Sequence, residues 1–233
     1  MEYKKQEIKQ GIKLHNINTD KFKTNLIAIF LTTPLSRKYV TFDAVLTAVL
    51  RRGTEKYPTQ LEIEKRLEEM YGASFNCGVD KIGNYQVLKF YIEGLSDEYT
   101  EEKQNIEELL KEIIYSPILE NGYFKKEYVE QEKENLRLII ESRKDNKARY
   151  AYERCIEEMF ENEPYGVYKY GTVEDVEKIT PESLYNQYKK ILKNAQIDVF
   201  GCGNQLEEIE IPHKNTIEIK NTIHENKHKE IKE

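Results

Sequence analysis

The 233-residue chain has no tryptophan, only three cysteines and only six prolines. Cys77, Cys155 and Cys202 are odd in number and far apart, and no C-x-x-C occurs. That excludes a disulfide framework and a cysteine zinc site, and the thiols are expected to be small buried groups in a reducing cytoplasm. Long hydrophobic runs are missing too. The longest, Leu26 to Leu31, holds six residues, far short of the roughly 20 that cross a bilayer. The opening MEYKKQEIKQ lacks the apolar stretch of a signal peptide. There is no excess of positive charge: Lys and Arg number 36 against 42 Asp and Glu, for a net charge of −6. General nucleic-acid binding needs a basic footprint and is not expected. The sequence therefore predicts a cytoplasmic protein with neither nucleic acid nor membrane as a partner.

Several catalytic signatures are absent as well. There is no Walker loop, no G-x-G-x-x-G and no G-x-S-x-G. Gly201-Cys202-Gly203 follows a strand with no clear helix behind it, so it makes a poor dinucleotide loop. His15 and His213 have no Cys, Asp or Glu at ligand spacing and read as structural or solvent-facing.

What is present suffices for a folded domain: 39% hydrophobic and 11% aromatic residues, arranged with clear periodicity. Residues 11–17 and 25–32 read as strands, the second nearly all apolar and fit for a sheet centre. A helix is expected over 38–52, capped by Ser36 and ended by Gly53, and apolar around most of its circumference. Thr59 and Glu62 form a capping box for a helix on Ile63, Leu67 and Met70, closed by Gly72. Segments 73–80 and 84–95 alternate as an antiparallel hairpin about Lys81-Ile82-Gly83. Further helices are expected over 98–115, ended by Pro117, and over 123–145, where Phe124, Tyr128, Leu136 and Ile140 share a face with Glu132. Another, over 147–160, would bury Ala151, Cys155, Ile156 and Met159 or Phe160. Thr180 and Pro181 open a last helix, and 195–203 is the last strand. Residues 1–204 then make one domain, and 205–233 a polar C-terminal tail.

His224-Glu225-Asn226-Lys227-His228 matches H-E-x-x-H, which in zinc proteases sets two imidazoles one helical turn apart with Glu as general base. Its surroundings, NTIHENKHKEIKE, have too few apolar residues to bury a helix, and no third ligand follows. The motif reads as a charged tail able at most to pick up metal adventitiously.

A second set of motifs points elsewhere. Arg52-Gly53-Thr54 is followed by the helix through Met70-Tyr71-Gly72 and the strand with Phe75-Asn76. Next come the helix YVEQEKENLRLIIESRKDN, Pro164-Tyr165-Gly166, Gly171-Thr172, Ile179-Thr180-Pro181 and the strand ending at Gly203. This order, over about residues 10–204, resembles the first domain of the insulinase-like metallopeptidases, the pitrilysin and mitochondrial processing peptidase family. It is most similar to a bacterial branch of non-catalytic homologues that accompany an active relative.

The resemblance implies an α+β fold, with a mixed, mostly antiparallel sheet and helices packed on one face. It maps the first ligand histidine onto Ala44, the catalytic glutamate onto Thr47 and the second histidine onto Ala48. The third ligand falls on Ile139, or with a one-residue shift on Leu138 or Ile140. Glu132 takes a supporting acidic position. No catalytic residue, metal ligand or cofactor is then expected, because Ala and Ile offer zinc no lone pair and Thr47 is no base at neutral pH. The emptied cleft is expected to become ordinary helix–helix packing. The implied role is a non-catalytic subunit that pairs with an active insulinase-like zinc peptidase and helps enclose or present a peptide. The rival readings are a zinc protease built on His224, Glu225 and His228, and a free-standing module that binds peptide at a sheet edge.

Overall fold

The apolar run around Leu26 is the middle of the molecule. The computed structural model describes residues 1–203. Eight strands and seven α-helices occur among them. The strands are β1 (Glu2–Lys9), β2 (Ile12–Asn18), β3 (Thr24–Pro34), β4 (Ser74–Ile82), β5 (Tyr85–Leu95), β6 (Leu119–Glu120), β7 (Tyr123–Phe124) and β8 (Gln196–Gly203). The helices are α1 (Val40–Leu50), α2 (Gln60–Glu69), α3 (Ile106–Tyr115), α4 (Lys126–Glu141), α5 (Lys147–Met159), α6 (Val173–Glu177) and α7 (Pro181–Asn194). Six strands form one sheet in the order β1-β2-β8-β3-β5-β4. Only the β2–β8 pairing is parallel, so the sheet is mixed and mostly antiparallel.

Period-2 alternation decides the faces. Ile29 of β3 lies opposite Phe90 of β5 and Val199 of β8, and Leu31 lies opposite Leu88 and Ile197. These six are all buried in one cluster with residues of α1, α2, α3, α4 and α7. On the other face His15 stacks on Phe200, with ring centroids 4.2 Å apart. Its Nε2 lies 3.0 Å from Asp198 Oδ1, and its Nδ1 lies 2.8 Å from the Tyr3 hydroxyl. His15 is thus structural, with a carboxylate partner 183 residues away that no local spacing reveals.

Several boundaries differ from the expectation, each for a local reason. Helix α1 starts at Val40 with no side-chain cap. Ser36 contributes its backbone carbonyl instead, accepting from Tyr39 and Val40 N–H. The helix ends at Leu50, before Gly53, whose missing side chain lets the Pro58 carbonyl approach where a Cβ would stand. The Thr59–Glu62 capping box is present, and Gly72 closes α2 in the left-handed region at φ +75°. The hairpin turn is Gly83-Asn84, because Ile82 still pairs with Tyr85.

Helix α3 begins only at Ile106. The preceding TEEKQN has no apolar side chain to bury, and Asp97, Thr100 and Gln104 tie its backbone into local hydrogen bonds. Tyr123 and Phe124 fall outside α4, in the small β6–β7 hairpin. Strand β1 and helix α6 were not expected; β1 is exposed along its whole length and so carries no burial pattern.

Helix α5 departs most. None of its residues is fully buried, Ala151 and Cys155 are exposed, and Met159 is 70% exposed. Its half-buried face mixes Ile156 with two carboxylates. Glu153 and Glu157 both hold Arg143, which lies 3.8 Å from the centre of the Tyr168 ring. The buried-thiol expectation also fails, since Cys155 is exposed and Cys77 and Cys202 are only partly covered.

Candidate functional site

Residues 44, 47 and 48 of α1 and Arg51 at its C-terminal cap recur at i, i+3, i+4 and i+7, and residues 132, 135, 136 and 139 repeat that spacing on α4. Each set forms one helical stripe. The two stripes line a single cleft of about 430 Å³, with Cys77, Gly78 and Val79 of β4, Arg52, Gln60 and Tyr170 completing its wall. The positions mapped onto the metal and base sites, Ala44, Thr47, Ala48 and Ile139, therefore converge. Ile139 is the cleft residue of its trio: Leu138 and Ile140 do not line the cleft. The expected closure into solid helix packing does not occur. Two alanines one turn apart leave the space open.

The polar groups around the cleft are mostly engaged. Thr47 Oγ1 donates to the Ala44 carbonyl at 2.9 Å, a bond within its own helix. Glu132 is buried; its Oε1 lies 3.3 Å from Arg52 Nη1, and its Oε2 accepts from Asn135 Nδ2 at 3.1 Å. Arg52 also donates to Gln60 and Gln131, and its guanidinium lies 5.2 Å from the centre of the Tyr128 ring. Arg51 pairs with Glu64 at 3.2 Å. The Nε atoms of Arg51 and Arg52 are buried and have no hydrogen-bond partner. Cys77 Sγ donates to the Thr47 carbonyl at 3.2 Å. Burial pushes its thiol up to about 12, against the pull of Arg51 and with a push from Glu132, so it is no nucleophile at neutral pH.

Among the described residues no group of three or more His, Cys, Asp or Glu is placed to hold a metal ion. His213 and the His224-Glu225-His228 motif lie outside the described residues. Gly201 and Gly203 sit inside β8, paired with β2 and β3, so G-x-G here is strand and not a phosphate loop. Sequence reasoning gave no role to Arg51, although the i+7 step from Ala44 places it on the same stripe. It also passed over Asp43, which is buried and accepts from Gln187 Nε2 at 2.7 Å.

A mixed six-stranded sheet, one helix-covered face and a cleft between α1, α4 and the edge strand β4 define an insulinase-type peptidase domain with its ligand positions replaced. Comparison with known proteins agrees that the chain resembles that family over this domain. It is 35% identical over 198 residues to the probable inactive metalloprotease YmfF of Bacillus subtilis (strain 168), a match covering 83% of this sequence and 46% of that protein. A conserved protein from Enterococcus faecalis V583 matches at TM-score 0.87 and 30% identity, over 95% of this sequence and 54% of that one. A peptidase M16 inactive domain from Pseudomonas fluorescens matches at TM-score 0.71 and 14% identity, over 88% of this sequence and 47% of that one; at that identity the likeness is one of fold. No family model matches the sequence. The chain spans about half the length of these relatives. The resemblance to the insulinase-like metallopeptidases, and to their inactive bacterial branch, is borne out over this domain.

Proposed function

We propose that the protein is a non-catalytic peptidase homologue that pairs with an active zinc peptidase of its own family and helps enclose or present a peptide. The observation that carries this reading is the convergence of Ala44, Thr47, Ala48 and Ile139 on one cleft that has stayed open. Without an imidazole pair or a free base the cleft has no means to bind zinc or activate water. A cleft without chemistry still offers a concave, half-apolar surface of ligand-binding size. The name of the Bacillus relative, a probable inactive metalloprotease, supports the same reading. No catalytic residue, metal ligand or cofactor is assigned, and the domain is taken as 1–204 with 205–233 as its tail. No helix among the described residues is long and apolar enough to cross a membrane, and a cytoplasmic, bacterial setting is part of the proposal.

The test is co-expression of this protein with an intact H-x-x-E-H peptidase from the same organism, followed by size exclusion at micromolar concentration and a peptide-cleavage assay. The expected result is co-elution and altered cleavage. Separate elution with cleavage unchanged overturns the pairing.

A further inference from the structure

The cleft is a cationic cavity in an anionic protein. Of its lining residues only Arg51, Arg52 and Glu132 carry full charge, two positive against one negative, while the whole sequence stands at −6. Glu132 is already committed to Arg52 and Asn135. Arg51 has Glu64, but the side chains of that pair are 41% and 45% exposed, and an ion pair so open to water holds its partners weakly. The hydrogen bonding of the two guanidiniums is also incomplete. A carboxylate is best gripped by two parallel N–H groups of one guanidinium. Here only terminal Nη atoms are used, and both Nε atoms are buried and unpartnered. Such an orphaned donor favours any rearrangement that gives it an acceptor. Beside these groups the wall is small and apolar: Ala44, Ala48, Val79, Leu136 and Ile139. The volume of about 430 Å³ exceeds what a lone inorganic anion fills and falls in the range of organic ligands.

We propose that the cleft is a receptor for a peptide carboxylate. Arg51 exchanges its exposed contact with Glu64 for the carboxylate, which it takes through its Nε–Nη fork with Arg52 as a second donor. The apolar side chain next to that carboxylate lies against Ala44, Ala48 and Ile139. This rests on the peptide-holding reading above and narrows it to acidic or carboxy-terminal segments. An Asp or Glu side chain and a free peptide carboxy terminus present the same group.

Three probes separate the sources: acetyl-Ala-Leu-Glu-Ala-amide, acetyl-Ala-Leu-Gln-Ala-amide, and acetyl-Ala-Leu-Gln-Ala with a free carboxy terminus. Each is titrated into the full-length protein by calorimetry, at low salt and at high salt. At least one carboxylate probe should bind about tenfold or more tighter than the neutral one, with the advantage shrinking in salt; which probe wins identifies the source. Arg51→Gln, which breaks only a half-exposed ion pair among the described residues, should keep the thermal midpoint and erase the preference. Ala48→Leu, which fills the cleft, should weaken all three. If all three bind equally and Ala48→Leu still weakens them, the carboxylate inference is overturned and peptide holding stands. A preference that survives Arg51→Gln also overturns it. Binding by none of the probes at millimolar concentration overturns both.

Discussion

Asp43 sets up a pH dependence of opposite sign to that of an ordinary paired carboxylate. It lies 1% exposed at the α1–α7 contact. Burial raises its pKa to about 7, opposed by the hydrogen bond from Gln187 and the charge of Lys190. In the unfolded state the group titrates at about 3.9. Between about pH 4 and about pH 7 the folded state therefore keeps a proton that the unfolded state has lost. The unfolded state binds fewer protons there, so stability falls as pH rises. At about 1.4 kcal/mol per pH unit, the whole window removes about 4 kcal/mol. Asp43→Asn is isosteric with the neutral acid and can still accept from Gln187. The variant should match wild type near pH 4 and exceed it by about 4 kcal/mol above pH 7. For a domain of this size each kcal/mol shifts the melting midpoint by about 2–4 °C. The assay is urea and thermal unfolding of both proteins at pH 4, 5.5, 7 and 8; the difference between them isolates Asp43 from every other titrating group. A difference that is constant with pH, or that favours wild type at pH 8, would refute the reasoning.

Three further outcomes are expected. Thr59→Ala removes the capping box of α2 and should cost about 1 kcal/mol, read as a melting midpoint lower by about 2–4 °C. Arg143→Ala removes the pairs to Glu153 and Glu157 and the contact with Tyr168. Amide exchange across 147–159 should then rise well before that of β3 and β5, whereas uniform exchange would show that α5 is held by something else. Deletion of 214–233 should leave the melting midpoint within a few degrees, since the sequence there has no apolar run at helical or strand period long enough to fill a core; a larger drop would tie the tail to the domain.

The elements legible in the sequence are those whose burial follows one simple period. Strand β3, the body of helix α1, the β4–β5 pairing and the Thr59 and Thr180 caps lie where periodicity and capping place them, although α1 takes no side-chain cap from Ser36 and the hairpin turns at Gly83-Asn84. Strand β1 leaves no such mark, because an edge strand with no buried residue carries no apolar alternation. Helix α5 is only partly legible, because Ile156 and Phe160 are half-buried as expected while Ala151, Cys155 and Met159 are exposed and Glu153 and Glu157 share the inward side. A hydrophobic periodicity reports a helix but not which side the protein covers. At the cleft, motif order gave Ala44, Thr47, Ala48 and Ile139, and helical spacing brings them together. That the space stays open, and that Cys77 borders it, depends on the facing of α4 and β4, which no single segment encodes.

Zinc stoichiometry of the tag-free protein tests the central claim most directly. Elemental analysis after dialysis against a zinc buffer is compared between wild type, the double variant His224→Ala/His228→Ala, and Cys77→Ser/Glu132→Gln. The account predicts that any zinc found is lost with the two histidines and is unaffected by changes at the cleft. One zinc per molecule that survives loss of His224 and His228 but disappears with Cys77 and Glu132 would contradict it.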